Sequence, residues 1–271
     1  VTGSGMAAAA DLNPMEQLGK NLFFDNISDP DRMSCAACHA PEVGFTGSNP
    51  GINKHGSVYR GAVPTRFGNR KPPSAAYATL SPVFHYDAAE ELFVGGNFWD
   101  GRATGEILGN PAADQAGGPF LNPVEHNMAD KKAVCEQVAP KDYASLFPVV
   151  FGEAIQCDTE QDVEMNYDRI ALAIAAYEGS SEVNQFSSKF DAYLAGDAQL
   201  SDIEMQGLAL FTGKAQCSAC HPVEPGPNGE PPPLTDFTFD NLGATRHPHN
   251  PSYQLYKLYL YACSPINHAG L

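Results

Sequence analysis

The sequence predicts a mainly α-helical fold in which two small helical units are joined by long irregular loops. Three observations lead there. Apolar residues recur at helical spacing in several segments. A Cys-x-x-Cys-His motif occurs twice, each time after a Gly-x-x-Leu-Phe stretch. The 271 residues include 25 Gly and 22 Pro, which implies many turns and long loops, and no run alternates apolar and polar residues with period two.

Taken in order, residues 14–24 read as a helix opening at a proline and ending on Leu22-Phe23-Phe24. Residues 40–127 are rich in Gly, Pro and Asn and read as mostly irregular; a loop region that long usually lines a site. Residues 131–150 read as helical, broken near Pro140 and Pro148. Residues 162–178 carry Met165, Ile170, Leu172, Ile174 and Ala175 at helical spacing. The small polar stretch from Gly179 to Gln185 marks a junction, so the chain divides into 11–180 and 181–271. Ser201 and Glu204 form a capping box opening the helix before the second motif, and residues 222–234 are again turn-rich.

The two motifs are Cys35, Cys38, His39 and Cys217, Cys220, His221. Gly19 with Leu22-Phe23 precedes the first and Gly207 with Leu210-Phe211 the second, which suggests two copies of one unit. Two thiols at this spacing can add to the two vinyl groups of one porphyrin, and the adjacent His then lies beneath the iron as its ligand. A single match would also suit a redox or zinc half-site. The pairs lie 182 residues apart, whereas two such pairs sharing one zinc are usually closer. The sequence therefore predicts two covalently bound c-type haems, with His39 and His221 as proximal ligands.

Bulk properties narrow the rest. Asp and Glu number 32 against 16 Lys and Arg, a formal charge of −16. That argues against a nucleic-acid partner, which needs clustered basic residues, and favours a basic protein partner. No apolar run reaches the length of a membrane span. Val1 to Ala10 lack the charged-then-apolar pattern of a secretion signal, so a mature or trimmed form is expected. Thioether attachment of haem takes place outside the bacterial cytoplasm, where disulfides also persist, so the periplasm is the expected compartment. Cys135 and Cys157 are a candidate bridge, and Cys263 would then be free or paired outside the chain.

Around the two motifs the sequence resembles the bacterial dihaem cytochrome c peroxidases, including their MauG-like branch. The resemblance is carried by Leu18-Gly-Lys-Asn-Leu-Phe-Phe, Asn97-Phe-Trp-Asp-Gly-Arg102, Asn122-Pro-Val-Glu125 and Asp236-Phe-Thr-Phe-Asp-Asn-Leu-Gly243, and runs from about Leu18 to Tyr253. It implies two cytochrome c-like domains, the N-terminal haem peroxidatic and the C-terminal one electron-transferring. It also implies reduction of hydrogen peroxide to water, with electrons from a small cytochrome c or cupredoxin, and a possible homodimer.

Residue roles follow from that resemblance. Glu125 is similar to the distal-pocket carboxylate; a carboxyl there can move a proton between the peroxide oxygens. As sequence alone it would pass for a surface loop residue. Gln115 resembles the pocket amide, and is otherwise an ordinary polar residue. Trp99, the single tryptophan, resembles an electron relay between the haems, with a core anchor as the plain alternative. Arg102 would pair with a haem propionate or, in a simple turn, with Asp100. Asn69 resembles an Asn that helps hold a calcium ion, which takes oxygen ligands. His55, sixteen residues after His39, is a candidate distal iron ligand, and His85 a second. Val63-Pro-Thr-Arg-Phe-Gly-Asn-Arg is closer to the MauG-like branch, which keeps that position open.

The family usually continues beyond the position of Leu271 and supplies a Met or Tyr to the second haem. No Met follows Met205 here. The candidates are His247, His249, His268 and Tyr253, Tyr256, Tyr259 and Tyr261. Two other functions fit the same residues: peroxide-dependent oxidation of Trp or Tyr in a partner protein, and electron carriage without catalysis.

Overall fold

The computed structural model describes residues 11–56, 58–241, 243, 245 and 248–251. Among them the elements are α1 (Pro14–Phe24), α2 (Pro50–Lys54), the strands β1 (His85–Asp87) and β2 (Leu92–Val94), α3 (Pro111–Leu121), α4 (Lys131–Val138), α5 (Phe147–Phe151), α6 (Glu160–Glu178), α7 (Lys189–Leu194) and α8 (Asp202–Thr212). Short 3-10 turns cover Cys35–Ala37 and Cys217–Ala219. The mainly α expectation holds, and the sheet is a single two-stranded hairpin among the described residues.

The core is a crossing of α1 and α6. Asn13 caps α1: its side chain accepts from the Met15 and Glu16 amides, and Glu16 returns a bond to the Asn13 N–H at 2.8 Å. Leu18, Leu22 and Phe23 lie one turn apart on the face toward α6 and are buried. Burying each such side chain contributes about 1.5–3 kcal/mol. Ile170, Ile174 and Tyr177 meet them from α6. Gly19 sits at the crossing point, where a β-carbon would come within 1.8 Å of the Ala173 carbonyl oxygen. No larger residue allows the two backbones to approach this closely.

Three pieces buttress the crossing. α3 packs on α6 through Ala112, Ala113 and Ala116, and the Tyr167 hydroxyl donates to the Gly117 carbonyl. α4 is tied to the segment before α6 by a Cys135–Cys157 disulfide with a Cα–Cα distance of 6.0 Å, which settles the pairing the sequence left open. Lys141 and Tyr143 clamp Asp25 at the end of α1, at 2.8 and 2.6 Å.

Residues 40–127 are mostly irregular, as expected, with α3 formed among them despite Gly117, Gly118 and Pro119. Asn110 caps its N-terminus and Pro111 occupies the first helical position, where a missing N–H costs nothing. Pro148 does not break a helix; it lies in the first turn of α5 and helps start it. The interruption expected near Pro140 is present, at residues 139–141.

The C-terminal part reaches back onto this body. After the second motif, the Gly95 N–H donates to the Phe237 carbonyl at 2.9 Å and the Phe239 N–H to Phe93 at 3.0 Å, so residues 237–239 run alongside β2. α8 forms with the Ser201–Glu204 capping box expected, the Ser201 N–H donating to Glu204 at 2.7 Å, and buries none of its residues.

Candidate haem site

Just after α1 the chain makes the 3-10 turn that carries the first motif. The His39 N–H donates to the Cys35 carbonyl at 2.9 Å, which brings the ring back over the turn. The His39 Nδ1 donates to the Phe45 carbonyl at 3.1 Å. A carbonyl can only accept, so the proton is on Nδ1 and Nε2 is left bare for a metal. Burial lowers the His39 pKa, which keeps the ring neutral as a ligand must be. Phe45 presents its carbonyl from a left-handed conformation, φ 58°, rare for an aromatic residue.

A cavity of about 460 Å³ opens in front of this turn. Cys35, Cys38 and His39 form one wall, and neither thiol is in a disulfide. Burial pushes both thiols far up, Cys38 to about 12. Both thiols are reduced and unbridged on the cavity wall, as thioether attachment requires.

Gln115, on α3, and Glu125 line the same cavity. Glu125 sits in a turn in which its N–H donates to Asn122 O at 3.0 Å and its own carbonyl accepts from the Ala62 N–H at 2.7 Å. Gly61 presses against this turn so closely that a β-carbon would lie 2.6 Å from the Glu125 carbonyl oxygen. The carboxylate accepts from Asn122 Nδ2 at 3.0 Å. Burial raises the Glu125 pKa, opposed by the Asn122 bond and by the charge of Arg102. A carboxyl so balanced can both take and give a proton.

Trp99 stands at the cavity rim. It is 56% exposed, and its indole N–H donates to the Lys71 carbonyl at 2.8 Å, so the core-anchor alternative fails. Arg102 lines the cavity too. Its guanidinium binds both Asp100 oxygens, at 2.8 and 3.0 Å, and lies 3.6 Å from the Phe98 ring centroid. Asp100 is thus one of the two partners expected for it.

The second motif repeats the first. The His221 N–H donates to Cys217 O at 3.0 Å, and Nδ1 donates at 2.8 Å to the carbonyl of Leu234, again a left-handed residue with φ 55°. The surroundings differ: Cys220 and His221 are exposed.

A family model described as di-haem cytochrome c peroxidase matches residues 13–199. The chain belongs to that family. Among curated relatives, the methylamine utilization protein MauG of Paracoccus denitrificans is 35% identical over 229 residues, covering 83% of this chain and 56% of its own. The cytochrome-c peroxidase IdrP1 of Denitromonas iodatirespirans is 30% identical, covering 87% and 53%. The diheme peroxidase BthA of Burkholderia thailandensis superposes with a TM-score of 0.76 at 31% identity, over 91% of this chain and 60% of that one. The chain thus spans about half the length of the curated relatives it matches.

Membership of the di-haem peroxidase family implies haem c, and the residues fit. The first motif offers two unbridged thiols and a bare Nε2 on the wall of a cavity of ligand size.

Other sequence candidates lie elsewhere. His55 follows α2, with its ring 6.4 Å from that of His249, and lines a separate pocket with Ile52 and Phe67. His85 is in β1, its Nδ1 on Val83 O at 2.8 Å. Neither lines the haem cavity. Asn69 does, and its carbonyl accepts from Asn250 at 2.9 Å. Among the described residues no group of three or more His, Cys, Asp or Glu gathers as for a metal ion. His247, His268, Cys263 and the four C-terminal tyrosines fall outside the described residues.

Two cavity residues escaped sequence reasoning. His126 follows Glu125 and is buried, with Nδ1 on Ile27 O at 2.7 Å. Its lone position in a loop gave no signal. Glu178 ends α6, and here a signal existed: it follows Ile170 and Ile174 at intervals of four, on the buried face of the helix.

Proposed function

We propose that the N-terminal cavity binds haem through Cys35, Cys38 and His39 and reduces hydrogen peroxide to water, drawing electrons through a second haem at Cys217, Cys220 and His221. The observation that carries this is the gathering of Glu125 and Gln115 into the same cavity as the first motif. The haem would supply a metal centre for binding peroxide and for accepting electrons one at a time. The protein supplies the rest. Gln115 offers an amide to orient a bound oxygen ligand. Glu125, held by Asn122 and by the Gly61–Ala62 backbone, takes a proton and returns it to the departing oxygen. Trp99, which lines the same cavity, offers an oxidisable ring to relay electrons from the second haem.

The Glu125→Gln protein tests the assignment. Peroxide turnover should fall about a hundredfold or more, the usual weight of a general acid–base group. Unchanged turnover in haem-loaded protein would remove Glu125 from the mechanism.

A second reading has an observation of its own. Trp99 is more than half exposed, which suits oxidation of Trp or Tyr in a protein docked over the rim, as a MauG-like activity would require. A reduced small cytochrome or cupredoxin, mixed with peroxide, separates the two. Rapid donor oxidation supports the peroxidase, and its absence, with product on a partner protein, supports the modifier.

Secondary assignments belong to the same proposal. The division near residue 180 separates a peroxidatic from an electron-transfer domain. The thioether motifs and the Cys135–Cys157 bridge suit the periplasm. A calcium ion near Asn69 would rest on amide and carbonyl oxygens. No helix among the described residues is long and apolar enough to cross a membrane.

A further inference from the structure

α6 ends with a carboxyl in the wrong company. Glu178 is 5% exposed, and its side chain lines the haem cavity beside Ile174. Among the described residues no Lys, Arg or His pairs with it, and no hydrogen bond reaches its oxygens. Nor are those oxygens sealed: the sealed, unpartnered side-chain atoms among the described residues are Gln137 Oε1 and Ser180 Oγ. The carboxyl therefore opens onto the space its side chain lines, which is the cavity.

A buried carboxyl without a partner is costly in its charged form and is not a packing residue of choice; a leucine would fill the position without penalty. The groups around it give it no relief. From the motif turn come Cys35 and Cys38, whose thiols become uncharged thioethers once haem is attached, and His39, held neutral. Glu125 and His126 line the same cavity, as does Arg102, which is engaged by Asp100. On its own helix Tyr177 precedes it. Lys20 of α1 is paired with Glu182 at 2.6 Å. Burial alone pushes the Glu178 carboxyl up, to about 8.

We infer that Glu178 is a proton acceptor coupled to the redox state of the haem in the N-terminal cavity, taking up one proton when that haem gains an electron and releasing it when the electron leaves. The inference rests on the haem reading above. The balance is simple. One electron arrives from the donor, one proton comes from solvent, the carboxylate becomes a carboxylic acid, and no other bond changes. The cause is electrostatic: an ionised carboxylate in a low-dielectric wall stabilises the more positive, oxidised centre, and added negative charge there favours the neutral acid. Glu178 thus keeps the cavity's net charge constant while Glu125 remains available for the substrate.

Spectroelectrochemical titration of the haem-loaded protein between about pH 6 and pH 9, around the usual range of perturbed carboxyls, tests this. The electron affinity of the N-terminal haem should weaken with rising pH, by up to tenfold per pH unit at full coupling of one proton to one electron. In Glu178→Gln that dependence should be lost, with the second haem unchanged. The same slope in Glu178→Gln as in the native chain overturns the inference. Redox-difference infrared spectroscopy of the native protein serves if the variant fails to fold, since absence of any carboxylic C=O band would also overturn it. Mass spectrometry finding no haem on Cys35 and Cys38 would instead defeat the haem reading itself, which separates the two failures.

Discussion

Gly61 bears no functional group, yet its missing side chain decides where Glu125 stands. A β-carbon there would lie 2.3 Å from the Val124 carbonyl oxygen and 2.6 Å from that of Glu125. Both atoms are backbone and cannot swing aside. Gly61→Ala should therefore cost about 1–3 kcal/mol in urea unfolding. Peroxide turnover should drop by up to about a hundredfold, the effect of moving a reacting group by about an ångström. Native turnover in that variant would show that the turn relaxes without moving the carboxyl. At this scale the sequence was partly legible. The motif cysteines and histidines announce themselves because thioether chemistry fixes their spacing. Glu125 and Gln115 were found by resemblance alone. Gly61 and His126 were out of reach because their roles come from contacts with residues far along the chain: Val124 and Glu125 for one, Ile27 for the other.

Among the elements, α6 organises the molecule. It receives α1 across Gly19, carries Ile174 and Glu178 to the cavity, and is tethered through the segment before it to α4. Removing that tether by Cys135→Ala with Cys157→Ala releases a loop with a sequence separation of 22. The unfolded chain then gains freedom equivalent to about 3 kcal/mol. Urea unfolding should show a loss of that order, and reductant should destabilise the native protein to a similar extent. A midpoint unmoved by either change would mean that packing of Val134 and Val138 alone holds α4. The long amphipathic helices α1 and α6 were legible from their apolar spacing. α3 was hidden because Gly117, Gly118 and Pro119 are poor helix formers, and its stability comes from burial against α6 and from the Asn110 cap. Proline was misread at position 148 for a related reason, since its effect depends on whether it opens a helix or interrupts one.

At the level of the whole chain, charge is the property visible without any structure. The formal value of −16 creates a field that draws in basic partners and is screened by salt. Electron transfer from a basic small redox protein should slow by about tenfold or more between low and near-physiological ionic strength, as stopped-flow mixing would record. A rate indifferent to salt would point to a neutral or acidic donor. The relation between the two motifs was less legible. Their matching hydrogen bonds, His39 to Phe45 and His221 to Leu234, confirm a shared local design. Their unequal exposure depends on tertiary packing that spacing does not encode. One further consequence concerns assembly. Thr235 and Phe237 form part of the wall around the first cavity, two hundred positions after Cys35. While the polypeptide is being made, Cys35 and Cys38 emerge long before that wall exists. The wall of the first cavity is therefore complete only when that late segment lies beside β2.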